Sequence, residues 1–391
     1  MTPASTPPLS ALPRTWPISM TIPFLTAAFS VCSPVTDASD TAISREQLDV
    51  ETVVAGLDTP WDLLWGPDDY LWVSERHGAI SRVHPGTGEI TPIGQLQVEE
   101  TSESGLMGMA LHPRFDTEPY LYAAHSYRTS DGIRNRLVRM RYDGSSLGTP
   151  VTLLADIPGN RNHDGSRLVV GPDDHLYMTT GDAGRAELAQ NLESVAGKVL
   201  RLTLDGAPAP GNPFGTPVYS FGHRNPQGIV FHPQRGLLYV AEHGPSDNDE
   251  VNLVVAGGNY GWPSVHGFCD GDTPGEDLVC DSIEVVQPLA AWTPTVALSG
   301  LAYHDGRGIP GWKGSLLVTS LAGATLFRLQ LTDDGSRVTG QEEFFRGEYG
   351  RLRDVLVGPA GEVYLATSNR DGRGRPREGD DRILRVTLTA R

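Results

Sequence analysis

Gly66-Pro67-Asp68-Asp69-Tyr70-Leu71-Trp72-Val73 is the phrase on which the reading of this chain turns. Proline presets the first angle of a turn, while Asp and Gly accept the angles that remain. The Tyr-Leu-Trp-Val run that follows is β-prone and too short for a helix. The phrase returns. His112-Pro113 leads to Tyr120-Leu121-Tyr122-Ala123, and Gly171-Pro172-Asp173-Asp174 into His175-Leu176-Tyr177-Met178. His232-Pro233 precedes Leu237-Leu238-Tyr239-Val240, Gly311-Trp312 precedes Ser315-Leu316-Leu317-Val318, and Gly358-Pro359 precedes Glu362-Val363-Tyr364-Leu365. The six copies start between 46 and 79 residues apart, a period that fits multi-stranded propeller blades.

A second phrase, basic then apolar at the end of a strand, follows several copies: Ile80-Ser81-Arg82-Val83, Val199-Leu200-Arg201-Leu202, Leu326-Phe327-Arg328-Leu329 and Ile383-Leu384-Arg385-Val386. It reads as the next antiparallel strand of each blade. No stretch after residue 50 sustains helical spacing over three turns. The expected fold is therefore all-β, a six-bladed β-propeller with four-stranded antiparallel blades over residues 45–391. The widest interval, between 232 and 311, holds an insertion on one face that would shape a binding site. The basic run Arg370, Arg373, Arg375 and Arg377 reads as a solvated hairpin turn in the last blade.

With 391 residues, 39% hydrophobic and 20% charged, the chain can bury a sizeable core and is not of disordered type. Its 31 basic and 48 acidic residues leave a net charge of −17, which excludes a phosphate-backbone partner held by counterion release. No apolar window of about 18 residues offers a membrane span. Residues 1–44 read as a leader or a disordered N-terminal segment: rich in Pro, Ser and Thr, with a modest apolar stretch from Ile18 to Val35 that resembles an export signal. Phe29-Ser30-Val31-Cys32 is a loose match to a lipoprotein cleavage box, which makes a lipid anchor through Cys32 an alternative to plain export. Cys269 and Cys280 close a short Gly- and Asp-rich loop with no histidine cluster to suggest zinc, so they are expected to form a disulfide. A periplasmic or secreted location follows.

Three segments carry the chemistry. Asn162-His163-Asp164-Gly165-Ser166-Arg167 puts a histidine in a loop just before a strand, and Gly181-Asp182 stands at the far end of the same hairpin. One strand up and one back can set that carboxylate against the imidazole, fixing its tautomer and raising its basicity. Gly222-His223-Arg224-Asn225-Pro226-Gln227-Gly228 again runs straight into a strand, where Arg224 can hold a carboxylate or a developing oxyanion. Finally, Glu242-His243-Gly244-Pro245 is followed by crowded carboxylates at Asp247, Asp249 and Glu250, an oxygen-rich setting that suits calcium although its spacing is not that of an EF-hand.

Together with Gly257-Gly258-Asn259-Tyr260-Gly261-Trp262-Pro263 and Arg351-Leu352-Arg353-Asp354, these strings resemble the soluble pyrroloquinoline quinone (PQQ) dependent glucose, sorbosone and aldose sugar dehydrogenases over residues 50–390. The resemblance implies the same six-bladed propeller and a PQQ and calcium dependent oxidation of an aldose at its anomeric carbon to the lactone. His163 matches the general base and Asp182 its partner. Arg224 and Asn225 match residues lining the quinone oxygens, Arg351 and Arg353 the pair that neutralises cofactor carboxylates, and Asn162 joins them as a cofactor contact. The main-chain carbonyls of Gly244 and Pro245 match the calcium ligands.

The chain departs from the family pattern at three positions. Ala322 stands where a lysine is common, and Glu103 and Glu187 match glutamines near the cofactor. One cation is lost and two carboxylates are gained beside a tricarboxylate cofactor. Two other functions are therefore carried forward: a cofactor-free propeller acting as a carbohydrate- or protein-binding module, and a calcium-dependent hydrolase of lactonase type. No Cys-X-X-Cys-His haem site is present, so electrons from a dehydrogenase would leave to an external acceptor.

Overall fold

Each copy of the repeated phrase becomes the turn between the first two strands of a blade. In the computed structural model, which describes residues 43–389, Gly66 N donates to Tyr70 O at 2.8 Å and Asp69 N to Gly66 O at 3.2 Å. Asp69 takes the left-handed φ of 59° and Asp68 Oδ1 accepts the Trp72 indole N–H at 3.1 Å. The turn at Gly171 repeats the device, with Asp174 at φ 56° and the Tyr177 hydroxyl donating to Asp173 Oδ2 at 3.1 Å. A Cβ on Gly66 would lie 2.3 Å from the Asp68 carboxylate and from Trp72 Nε1, so the carboxylate–aromatic bracket leaves room only for glycine. The segment 1–44, with the apolar stretch read as an export signal and Cys32, lies outside the described residues apart from Ile43 and Ser44.

Six four-stranded antiparallel sheets follow, as the repeat count predicts. Their inner strands are Pro60–Trp65, Leu106–Leu111, Gly165–Val170, Pro226–Phe231, Leu298–His304 and Leu352–Val357, each packed against the inner strands of the neighbouring blades in a closed ring. Blades 1 to 5 take their four strands consecutively. Blade 6 takes its outermost strand from the other end of the chain: Leu48–Ala55 pairs antiparallel with Arg382–Leu388, Leu48 opposite Leu388. Ring closure thus rests on a ladder between the two ends of the described chain.

The core lies between the blades as six wedges. Trp72 and Ile80 of blade 1 meet Leu106, Leu121 and Val138 of blade 2, and Tyr239 and Val251 of blade 4 meet Leu316, Val318 and Phe327 of blade 5. Leu63, Leu71 and Val73 of blade 1 meet Tyr364, Ala366 and Ile383 of blade 6. Second strands such as Leu71–Glu75 are sandwiched from both sides and buried throughout, so their apolar run is unbroken from Leu71 to Val73 and gives way to polar residues, Ser74 and Glu75, only at the end. In the outer strand Ile90–Gln95 only Ile93 is buried, and the strand is less apolar. Each fully buried large side chain contributes about 1.5–3 kcal/mol.

All six inner strands carry a register shift near their first residues, for example between Gly165 and Leu168, between Pro226 and Gly228, and between Leu352 and Asp354. The others lie between Pro60 and Asp62, Leu106 and Met109, and Leu298 and Leu301. Bulges re-aim side chains. Here they accompany a buried polar cluster between inner strands, in which Arg167 pairs with Asp62 at 2.5 Å and Asp354 at 3.0 Å and stacks over Trp61. The starts of inner strands and the ends of second strands share one face of the ring, and every candidate site residue follows or precedes one of these ends.

Candidate active site

His163 sits in a loop that only a glycine-rich hairpin can form. Its own backbone is left-handed at φ 62°, Gly165 follows at φ 58°, and a Cβ on Gly181 would lie 1.9 Å from the His163 carbonyl oxygen. Strain of this kind, of order 1 kcal/mol or more at a non-glycine residue, is characteristic of functional sites. The result is a close approach of the two ends of the hairpin. His163 Nδ1 stands 2.8 Å from Asp182 Oδ1. A carboxylate only accepts, so Nδ1 carries the proton and the neutral ring has its lone pair at Nε2. Asp182 is buried and accepts two further hydrogen bonds, from Gly184 N to Oδ1 at 2.7 Å and from Trp262 Nε1 to Oδ2 at 2.9 Å.

Trp262 arrives because the two long sequence strings dock on each other. Phe221 and Asn259 form a parallel bridge, Trp262 N donates to Gly222 O, and Gln190 Nε2 donates to Trp262 O at 2.7 Å. Trp262 lies in the widest interval between repeats, and from there its indole reaches Asp182. The same insertion forms the Cys269–Cys280 disulfide expected from the sequence and the α-helix Glu276–Ser282.

The Arg224 guanidinium lies 5.3 Å from the Trp262 ring and donates to His243 O at 3.1 Å. Its main-chain N–H is held by Glu242 Oε1, whose other oxygen is 2.7 Å from buried His223 Nδ1. Burial lowers the Arg224 pKa below its usual value. Asn225 accepts Gly165 N at 3.1 Å, tying the Arg224 segment to the His163 loop. Arg353 is buried, donates to Gln227 Oε1 at 2.6 Å, and is pulled by that burial to about 10. Arg351 pairs with Asp371 at 2.7 Å.

Glu103 joins this group from blade 2. It accepts His163 N at 3.2 Å through Oε2 and Arg373 at 2.6 Å through Oε1, while Arg373 also donates to Asn162 Oδ1 at 3.2 Å. Burial alone would raise the Glu103 carboxyl, but His243, Arg373 and the His163 N–H together draw it down to about 2. The Arg370–Arg377 run is therefore more than a solvated turn: Arg373 reaches across to the His163 loop. Glu187, by contrast, is exposed on the short 3-10 helix Ala186–Ala189 and bonds to none of the other candidates.

The donor set suits an oxygen-rich anion. Arg224 Nε, Asn225 Nδ2 and Arg353 Nε are all buried without an acceptor among the described residues, a condition that costs about 1–3 kcal/mol per group unless a ligand supplies one. The carbonyls of Gly244 and Pro245 accept no hydrogen bond among the described residues. Gly244 N is held by Asp249 Oδ1 at 2.8 Å, and a Cβ on Gly244 would lie 1.8 Å from Asp247 O. Two free carbonyls on a tight turn can give a hard cation two of its six to eight oxygens. Asp249 and Glu250 face inward, onto Val296 N and Gly267 N, and shape the loops.

Sequence reasoning named His163, Asp182, Arg224, Asn225, Arg351, Arg353, Asn162 and Glu103; hydrogen bonds link His163 to Asp182 and Glu103, Glu103 through Arg373 to Asn162, and the Asn225 amide to the His163 loop, while Arg353 bonds to Gln227 and Ser299. That reasoning read Arg373 only as part of a solvated turn and did not assign the roles of Trp262 and Gln227. Trp262 was visible as part of its string; nothing local marked Arg373.

The glucose/sorbosone dehydrogenase family model matches residues 57–384. The quinoprotein glucose dehydrogenase B of Acinetobacter calcoaceticus is 30% identical, the match covering 88% of this chain and 90% of the relative. An aldose sugar dehydrogenase of Escherichia coli is 29% identical over 83% and 91% of the two chains. The PQQ-bound structure of an aldose sugar dehydrogenase from Streptomyces coelicolor superposes with a TM-score of 0.76 at 39% identity, covering 88% of this chain and 98% of that one.

Proposed function

Because the chain belongs to the glucose/sorbosone dehydrogenase family, we propose that it is a PQQ and calcium dependent dehydrogenase that oxidises an aldose at the anomeric carbon to the lactone. The observation that carries this reading is the His163–Asp182 pair at 2.8 Å, which leaves Nε2 as the basic nitrogen at a mouth lined by unpartnered cationic and amide donors.

Arg224, Asn225, Arg351 and Arg353 would hold the oxygens of PQQ, and the Gly244 and Pro245 carbonyls would contribute to calcium. When bound, PQQ supplies the acceptor for the hydride lost from sugar C1, and calcium polarises the accepting carbonyl. Loss of that hydride requires the anomeric hydroxyl proton to leave with it, and His163 Nε2 receives that proton. Asp182 keeps the ring in the tautomer that can accept it and stabilises the imidazolium that forms. Trp262, fixed by the same carboxylate, holds Arg224 against its face and so keeps the cation beside the base.

The disulfide supports residence in an oxidising compartment, periplasmic or secreted, and electrons would pass to an external acceptor. Among the described residues no helix is long and apolar enough to cross a membrane. The test is to load the protein with PQQ and calcium and follow dye reduction across a panel of aldoses. Reduction with at least one aldose, dependent on both additions, is expected. Uptake of neither group with retained sugar affinity would return the protein to the binding-module reading.

A further inference from the structure

Beside the His163 loop, on the blade 6 side of the mouth, lies a cleft of about 460 Å³ lined by Ala322, Arg351, Asn369, Arg373, Arg375 and Arg377, among others, with no carboxylate in its wall. Four guanidinium groups bordering one cleft repel one another, so the arrangement must be held. Asp371 holds it. One of its oxygens pairs with Arg351 and the other accepts Arg373 N at 2.9 Å and Gly374 N at 3.1 Å. A Cβ on Gly374 would lie 2.3 Å from Asn369 O, so the loop folds tightly back on the end of its own strand. Arg377 donates to the Glu348 carbonyl and its N–H to Asp380 Oδ2.

The four cations differ in what remains to them. Arg351 and Arg373 are each paired with a carboxylate, Arg377 only with a carbonyl, and the Arg375 side chain has no hydrogen-bond or ion-pair partner among the described residues. The positive charge left over in the cleft is thus that of Arg375 and Arg377, which share its wall with Ala322. On the other side, Arg373 is the one ion-pair partner of Glu103 among the described residues, and without it the carboxylate would keep only the His163 N–H and the field of His243.

We propose that the 369–377 loop is a carboxylate clamp, in which Arg375 supplies the cation absent at Ala322 and Arg373 cancels Glu103, so that the cleft receives one carboxylate of the anionic cofactor. This inference rests on the proposed function, because the cofactor is what brings a carboxylate to the mouth. It accounts for two departures at once: the lost charge at 322 and the gained charge at 103 are both met by residues of one loop. Arg375 is exposed, so its contribution is modest and sensitive to salt.

The experiment is calorimetric titration of PQQ into calcium-loaded protein at low and moderate ionic strength, which reads affinity without turnover. Arg375→Ala is expected to weaken binding about fivefold to tenfold at low salt and to reduce the salt dependence of Kd. Ala322→Lys in that background is expected to recover most of the loss. Arg373→Ala is expected to weaken binding more than Arg375→Ala, because it also frees Glu103, and Glu103→Gln is expected to reverse much of that effect. If the parent binds PQQ and Arg375→Ala changes Kd less than twofold, or if Ala322→Lys restores nothing, the clamp is overturned while the proposed function stands. A parent that takes up no PQQ overturns both.

Discussion

Asp182 is the residue through which fold and chemistry meet, and its replacement by asparagine separates them. Its Oδ1 serves two donors, His163 Nδ1 and Gly184 N, while Oδ2 serves one, the Trp262 indole. An asparagine has one accepting oxygen and one donating NH₂. Turning the NH₂ toward His163 would oppose two donors and force the ring into the other tautomer; turning it toward Trp262 opposes one. The second arrangement is favoured, so His163 keeps its tautomer and the indole N–H loses its acceptor. With the site buried, the cost is that of an unsatisfied donor facing another, about 1–3 kcal/mol of stability. Turnover should fall about tenfold or less, because the base remains but loses its anionic partner. Trp262→Phe removes the opposed N–H, so the double variant should be more stable than Asp182→Asn alone, in a cycle read by urea unfolding. If Asp182→Asn unfolds at the parent's denaturant midpoint, or if Trp262→Phe lowers its stability further, the account of this carboxylate is wrong.

Other outcomes are expected elsewhere. Arg351→Ala should raise the PQQ concentration needed for half-maximal activity more than it lowers turnover at saturation, as expected of a group that holds a cofactor carboxylate. Reducing Cys269–Cys280 should cost on the order of 2–3 kcal/mol in the chain-entropy picture for a short loop, checked by thermal melts with and without reductant. Glu103 sits near 2 in the fold against 4.5 as its ordinary value, so the unfolded chain binds the extra proton between these limits. Its contribution is therefore complete above about pH 4.5 and lost as pH falls toward 2, worth on the order of 2 kcal/mol after allowance for its half-exposed partner Arg373. Urea midpoints at pH 5 and pH 3 should accordingly lie closer together in Glu103→Gln than in the parent.

The blades were legible because their turns are local. Gly66-Pro67-Asp68-Asp69 and Gly171-Pro172-Asp173-Asp174 state their own angles, and the bracket from Asp68 to Trp72 closes within four residues. His163 and Asp182 were legible for a related reason, since one hairpin brings its two ends together whatever surrounds it. The pairing of Glu103 with Arg373 spans 270 residues and depends on the ring closing, so no window of sequence contains it. The bulges at the start of the inner strands are equally hidden. A shift of one residue exchanges the two faces of a strand, and only the observed register tells where Arg353 and Arg167 are directed. The strand Leu48–Ala55 falls where the propeller was expected to begin, yet its place in blade 6 follows from ring closure and not from its own residues.

The central claim is that His163 is the base in the oxidation of an aldose, and stopped-flow mixing of PQQ- and calcium-loaded protein with an aldose tests it most directly. The absorbance change of cofactor reduction is followed in a single turnover for the parent and for His163→Ala, after PQQ affinity has been matched by titration. The account expects reduction in the parent and a rate about 10² to 10⁴ lower in the variant, with unchanged fold and calcium binding. Equal rates in the two proteins, or no reduction by any aldose in the parent, would contradict it.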